Sequence, residues 1–543
     1  MIRIIRRLAY AVTFMAGSVG SAAHAEWLEG TSKHFVILGN ASESELRDRA
    51  KRLEQYDAML RMLFQAPETT QVHLFLLDTM GDVQSLAGSS SVAGFYSPSA
   101  QMSVAFMPRR ILENYGPGFT AERVLFHEYA HHMLLSSTNA FVPGWVTEGL
   151  AELFMSAMIK PDGSVIVGAP NESRGWAMMS QNRWSVAEMI AKDNQKVSGD
   201  EVIERYTRGW ALLHYLWLSG QRKGQYVAFI KDLNETGDAN AAARKAFGDL
   251  DKLNSEVNAY LNRHSLPTSQ FTADKMKADT DVTVRKLSPG EVAMIGKRMQ
   301  SARGVNEKTS GALYTQAKPI ADAYVADPVV QTWFAEIAYD AKQYPAADAA
   351  ADRALAVDPK SLMAIVFKGR IAAQAAMKSQ SDADWKTARA WFLKANRVNP
   401  DHPLPFVLFY DSFTAAGQVP PESAVTGLYR AVMLVPQDLD LRSRAAIALI
   451  RANDLPRARS ILAAAAFYPH SRPDNPMAKL IAFIDEGKDS KAVLERAGEL
   501  RLAGQNEFTA PPPDDSEDEP GDRPKGDDKK GGDKKTGADK KSK

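Results

Sequence analysis

The 543-residue chain contains no cysteine. That absence excludes disulfides, thiolate metal sites, a thiol nucleophile and a lipid-modified cysteine. Any metal must then be held by His, Glu or Asp. An excess of charge of either sign is also missing. The 66 Lys and Arg stand against 65 Asp and Glu, a net charge of +1. With no global basic field to draw in nucleic acid, no nucleic-acid partner is expected. Long apolar runs are scarce as well. The stretch nearest to one is "MIRIIRRLAYAVTFMAGSVGSAAHA" at the N-terminus. Its basic start (Arg3, Arg6, Arg7), short apolar run and Ala23-His24-Ala25 ending predict a signal peptide over 1–25, cut after Ala25. The rival reading is an uncleaved anchor helix, for which the run is short and interrupted by glycine. The expectation is a periplasmic or secreted protein with no membrane span once the leader is removed.

The length is enough for two or three domains. Residues 26–110 read as mixed α/β. "KHFVIL" (33–38) and "VHLFLL" (72–77) have β character, and the segment between them carries Leu46, Leu53, Tyr56, Met59, Leu60 and Leu63 at helical spacing. Residues 92–107 predict a hairpin turning at Ser97-Pro98-Ser99-Ala100. Helices are expected at 120–137, 144–158, 185–192, 201–219 and 224–235, with "GSVIVGAP" (163–170) as a strand or loop. Residues 266–288 are polar and weakly patterned, and read as a linker. Ser288-Pro289-Gly290-Glu291 then restarts helix with a capping-box signature.

Beyond about residue 320 the chain is alanine-rich. Four segments of small and apolar residues each end near a proline: Pro359, Pro400, Pro436 and Pro469. Their separations of 41, 36 and 33 residues scatter around the roughly 34-residue tetratricopeptide period. The stretch loosely resembles such repeats, which stack helix pairs. A non-repeating helical bundle is the alternative. Residues 506–543, an acidic half followed by a lysine-rich half, cannot bury enough apolar surface to fold. The expected fold class is α+β: a small mixed sheet plus a helical catalytic domain over 26–265, then an all-α tetratricopeptide-like repeat domain over 289–505.

The chemistry lies in "LFHEYAHHML". His127 and His131 are four residues apart, on one face of a helix, and can reach one cation. Zinc takes imidazole nitrogen at about 2.0–2.1 Å and prefers four ligands, one of them water in catalytic sites. Glu128 flanks that face and can take a proton from a metal-acidified water. Downstream, "WVTEGLAELF" puts Glu148 and Glu152 one turn apart. If that helix packs on the first, Glu148 supplies the third ligand to one Zn2+ ion and Glu152 steadies a ligand histidine from its other nitrogen. The competing view is an amphipathic helix with solvated glutamates. His132 lies about 100° around the helix from His131 and should point away from the metal.

H-E-x-x-H followed by W-x-x-E-G-x-A-E resembles the gluzincin metallopeptidases, peptidase MA-like enzymes related to the leucyl/alanyl aminopeptidase catalytic domain. The resemblance implies Glu148 as the third zinc ligand. "RYTRGWALLHYL" (205–216) resembles a further helix of that family, whose tyrosine stabilises the oxyanion of the tetrahedral intermediate; this implies the role for Tyr206. Arg208 stands where the family usually has lysine. A core tyrosine at a helix start is the other reading of Tyr206. The family's amine-binding glutamate strand has no counterpart, since "GFYSPSAQMSVAF" holds no acidic residue. That argues against aminopeptidase specificity, while the strand 101–106 could pair with an extended peptide.

The expectation is an exported zinc metallopeptidase. Its partners would be a peptide or protein substrate and a protein docked on the helical repeats, and its catalytic domain should be separable at the linker. The alternatives are an inactive peptidase-like scaffold acting through the repeats and a zinc hydrolase of non-peptide amides or esters.

Overall fold

The computed structural model describes residues 26–90, 92–110, 120–137, 141–170, 184–193, 199–466, 475–500, 502 and 506–508. The expected leader, Pro469 and residues 509–543 lie outside these. Among the described residues the strands are β1 (Trp27–Thr31), β2 (Phe35–Asn40), β3 (Val72–Leu77), β4 (Phe95–Ser97), β5 (Ser103–Pro108), β6 (Met158–Ile159), β7 (Val165–Val167), β8 (Ser269–Phe271) and β9 (Thr283–Lys286). Six of them form one sheet in the order β4-β5-β3-β2-β1-β9. The inner pairs β2/β3 and β3/β5 are parallel, and the outer pairs are antiparallel.

Side chains alternate across this sheet. Phe35, Ile37, Leu74 and Leu76 pack with Leu46, Ala50, Leu53 and Tyr56 of helix α1 (Glu43–Phe64). Val36, Leu38, Phe75 and Phe106 point the other way, towards Val83 of helix α2 (Met80–Ala87) and towards Leu287 and Ile295. Burial on both faces is why these strands read as continuous apolar runs.

Two expectations need correction here. The 266–288 linker is part of the fold: β8 joins β6 and β7 in a three-stranded sheet, and β9 closes the large sheet against β1. The β9 sequence "TVRK" has only one partly covered side chain, so it lacks the apolar alternation that marks a strand. The proposed peptide-pairing strand is not an edge either. β5 is hydrogen-bonded to β3 and to β4, which leaves β4 at the open edge.

Three helices then build the centre of the N-terminal half: α3 (Ala121–Ser137), α4 (Gly144–Met155) and α5 (Gly199–Leu218). The N-terminus of α4 has no side-chain cap of its own. Half-buried Asp193 does that work, accepting the backbone N–H of Gly144 at 2.9 Å and of Trp145 at 2.8 Å. Where α4 crosses α5, the two backbones touch. A Cβ on Gly149 would meet the Gly209 carbonyl carbon at 2.6 Å, and one on Gly209 would run into the Trp145 carbonyl oxygen. Arg208, the residue standing in for the family lysine, is buried and bonds Asn254 and Asn258, tying α5 to the helix Leu250–Leu261. Burial brings its guanidinium down to about 10.

From Pro289 onward the described chain is a run of antiparallel helix pairs. The first members begin at Pro289, Pro328, Leu362, Pro403, Leu439 and Pro476. Pro359, Pro400 and Pro436 fall just after the second helix of a pair, where a residue that cannot continue the helix is favoured. The uneven proline spacing follows from unequal helix lengths. Buried alanines such as Ala347, Ala350, Ala351 and Ala354 let neighbouring helices pack closely. The tail boundary at 506 also needs correction. Glu507 pairs with Arg370 at 2.9 Å, and Phe508 packs against Trp385 and Phe392. Asn506 adds hydrogen bonds to the Asp411 carbonyl and the Thr414 hydroxyl, so three consecutive residues dock this short piece of an otherwise polar segment.

The first helix of the array covers the second face of the sheet, through Ile295 and the partly buried Met299 and Ala302. A fragment ending at residue 265 should therefore expose Val36, Leu38, Phe75 and Phe106, and lose β9. We expect it to lack a cooperative thermal transition and to be degraded by protease much faster than full-length protein. A melt at the full-length Tm would contradict this. Gly149→Ala should force α4 and α5 apart at a cost of about 1–3 kcal/mol, read by denaturant unfolding. Gly296→Ala, where a Cβ meets nothing within 4 Å, should be neutral or stabilising.

Candidate metal centre

On α3, His127 and His131 lie one turn apart, their rings edge to face and their Nε2 atoms 3.2 Å from each other. Both Nε2 atoms lie 3.5 Å from Glu148 Oε2 on α4. A tetrahedral ion with bonds of about 2.0–2.1 Å spaces its ligand atoms about 3.3 Å apart. The three atoms therefore stand at the corners such an ion requires, and the donor set of two imidazoles and one carboxylate suits zinc. His131 and Glu148 are buried, and His127 is nearly so.

Glu152, one turn beyond Glu148, places Oε1 at 3.8 Å from His127 Nδ1. It is on the side of the ring away from the three-atom cluster, where a carboxylate orients the imidazole electrostatically. Burial opposes a charged His127, but the hydrogen bond to Glu148 and the charges of Glu152, Glu148 and Glu128 outweigh it and raise its pKa. The carboxylates around His127 thus favour a proton on its ring. Glu128 is half-buried and, with His131, lines one side of a cavity of about 380 Å³. Tyr206, on α5, has its ring centroid 6.4 Å from that of His127. The structure thus brings together all six of the residues singled out in the sequence.

His132 turns away from the three-atom cluster. Its Nδ1 lies 2.7 Å from the Tyr96 hydroxyl and 2.6 Å from the amide nitrogen of Gln437, in the repeat array. Burial brings it down to about 3, so it is neutral. Tyr129, inside the motif, stacks on His132 with ring centroids 4.9 Å apart and donates to Asp57 Oδ1 at 2.6 Å. Asp57 belongs to a second cluster with His34 and Glu54. There the positive charge is already supplied, since Arg61 donates to Asp57 at 2.8 Å and His34 Nδ1 meets Glu54 at 2.7 Å. His34 is raised: burial opposes its charge, but Glu54 and Asp57 prevail. This cluster is a buried ion-pair network that anchors the back of α3 to α1.

Several groups at the site carried no sequence signal. Asp193, 45 residues beyond Glu148, holds the N-terminal end of α4. Gln437, Asp438 and Asp440 line the same cavity as Glu128 from more than 300 residues away. "VPQDLD" reads as an ordinary turn and helix start, which it also is.

A family model described as a protein of unknown function (DUF1570) matches residues 122–238, a stretch that contains all six residues. No curated protein matches. Among solved structures, a "MamA RS-1 ArsTM double mutant" matches at a TM-score of 0.25 and 16% identity, covering 32% of this chain and 91% of that one. "MamA 41-end from Desulfovibrio magneticus RS-1" matches at 0.25 and 15%, covering 37% and 97%. Likenesses at that TM-score carry no argument, and the helical array stands on the chain's own helix pairs.

Proposed function

We propose that this protein is an exported zinc-dependent metallopeptidase, with His127, His131 and Glu148 holding the metal, Glu128 as general base and Tyr206 as oxyanion donor. The observation that carries the proposal is the near-equilateral arrangement of the two Nε2 atoms and Glu148 Oε2, with Glu128 opening beside it into a cavity. The leader-like N-terminus adds export.

A zinc ion in this site would polarise the scissile carbonyl and lower the pKa of the attacking water. The chain's own groups would do the rest. Glu128 accepts the water's proton on its carboxylate and passes it to the leaving amine. Glu152 keeps the His127 ring in register from the Nδ1 side. The Tyr206 hydroxyl donates to the charge developing on the carbonyl oxygen. The cavity between α3 and the repeat array receives the peptide.

Purified mature protein should bind close to one zinc per chain by elemental analysis. His131→Ala and Glu148→Ala should each abolish that stoichiometry, and full occupancy in either variant would refute the ligand set. Because the proton on His127 must leave first, zinc affinity should fall as pH is lowered.

Glu128→Gln should keep zinc and fold but lose about 10²–10⁴-fold in turnover of a susceptible peptide. Tyr206→Phe should lower kcat with little change in KM, by about 2–4 kcal/mol of transition-state stabilisation. A destabilised variant with normal kcat would instead make Tyr206 a core residue.

A further inference from the structure

The cavity beside Glu128 has two owners. One wall is α3 and the β4 turn. The other is the loop and first turn of the repeat helix Leu439–Arg451, which brings Gln437, Asp438 and Asp440. This junction is built. Asp438 Oδ2 accepts the Ala100 N–H at 2.9 Å, and its Oδ1 accepts the Leu441 N–H at 2.8 Å. Arg442 donates to the Leu135 carbonyl at 2.9 Å. The wall is therefore fixed to the catalytic helix.

Two features of that wall point to a ligand. Gln437 is 1% exposed, and its Oε1 has no hydrogen-bond partner among the described residues. A buried acceptor left unpaired is costly, and an incoming N–H relieves it. The second feature is charge. Among the described residues, Glu128, Asp438 and Asp440 line the cavity and no lysine or arginine does. Asp438 spends its oxygens on the junction, whereas Asp440 is exposed at the rim. The helix end itself carries roughly half a positive charge, less than the full negative charge of Asp440.

We infer that the repeat array forms one wall of the substrate cleft, where Gln437 Oε1 accepts a substrate backbone N–H and Asp440 selects peptides carrying a cationic nitrogen. This rests on the peptidase reading for its substrate class. The cationic nitrogen is that of a Lys or Arg side chain or of a free α-amine. The array thus acts as a specificity element within the cleft, beyond any docking of substrate at a distance.

Binding can be measured apart from cleavage, on zinc-loaded full-length protein carrying Glu128→Gln. The probes are fluorescent, amidated Ala/Gly/Ser decapeptides scanned with a single Lys, norleucine or Glu. Each is made acetylated and with a free N-terminus. At the position facing the rim, the acetylated Lys probe should bind about fivefold more tightly than norleucine and more tightly still than Glu, the range of a rim charge pair. If the free amine is the group selected, the preference appears instead between the free and acetylated norleucine probes. Asp440→Asn should abolish the preference, Asp440→Lys should invert it and Asp440→Glu should keep it, all with zinc content unchanged. Gln437→Met should weaken all probes alike, because the peptide backbone is common to them. An unchanged preference in Asp440→Asn, tighter binding of the Glu probe, or no binding of any probe would overturn the inference. Discriminating binding together with intact Glu128 protein that cleaves none of these peptides would sink the peptidase proposal while leaving the recognition of cationic peptides standing.

Discussion

Two helix backbones in direct contact set the geometry of this protein's centre. Gly149 and Gly209 leave no room for even a methyl group between α4 and α5. Glu148 precedes the first glycine and Tyr206 lies three residues before the second. Their approach to the histidines of α3 is therefore governed by how closely the helices can cross. Any side chain at the crossing would draw the carboxylate away from the two imidazoles. The cost of this compactness is electrostatic. Glu148 and Glu152 are buried beside two histidines, and buried carboxylates persist only with compensating positive charge. A divalent cation supplies it directly. A proton on His127 supplies it in part, which is the physical meaning of its raised pKa.

The rest of the molecule extends that constraint outward. Behind α3, Tyr129, Asp57, Arg61 and His34 form a buried network that resists rotation of the helix. In front of it, Gln437 and Arg442 of the repeat array contact His132 and Leu135. The sheet is held similarly from two sides, by α1 on one face and by the helix Pro289–Arg303 on the other. Helical arrays usually stand apart from the domains they serve, since each repeat needs only its neighbours. Here the array also completes the hydrophobic core of the sheet and one wall of the cavity beside Glu128.

Local chemistry in the sequence was enough for much of this. Spacing of four put His127 and His131 on one helical face, and apolar periodicity marked α1, α3 and α4 closely. The capping box at Ser288 is present with both of its hydrogen bonds. These features are encoded within a turn or two of chain, where residue type and period act directly. Strand β9 escaped notice because an edge strand with one solvated face has little apolar pattern, and Phe508 because it is a single apolar anchor in a polar segment.

What only the tertiary structure decided are the meetings between distant segments. The sequence by itself determined the helices, the two imidazoles on one face of α3, the paired carboxylates of α4 and the alanine-rich pairs. It could offer Glu148 as a third ligand, but the 3.5 Å approach to both imidazoles depends on a helix crossing that no local pattern specifies. It held no sign that Gln437 and Asp440 belong beside Glu128. Side chains 300 residues apart are brought together by the summed packing of every helix between them, and that sum is a property of the folded chain.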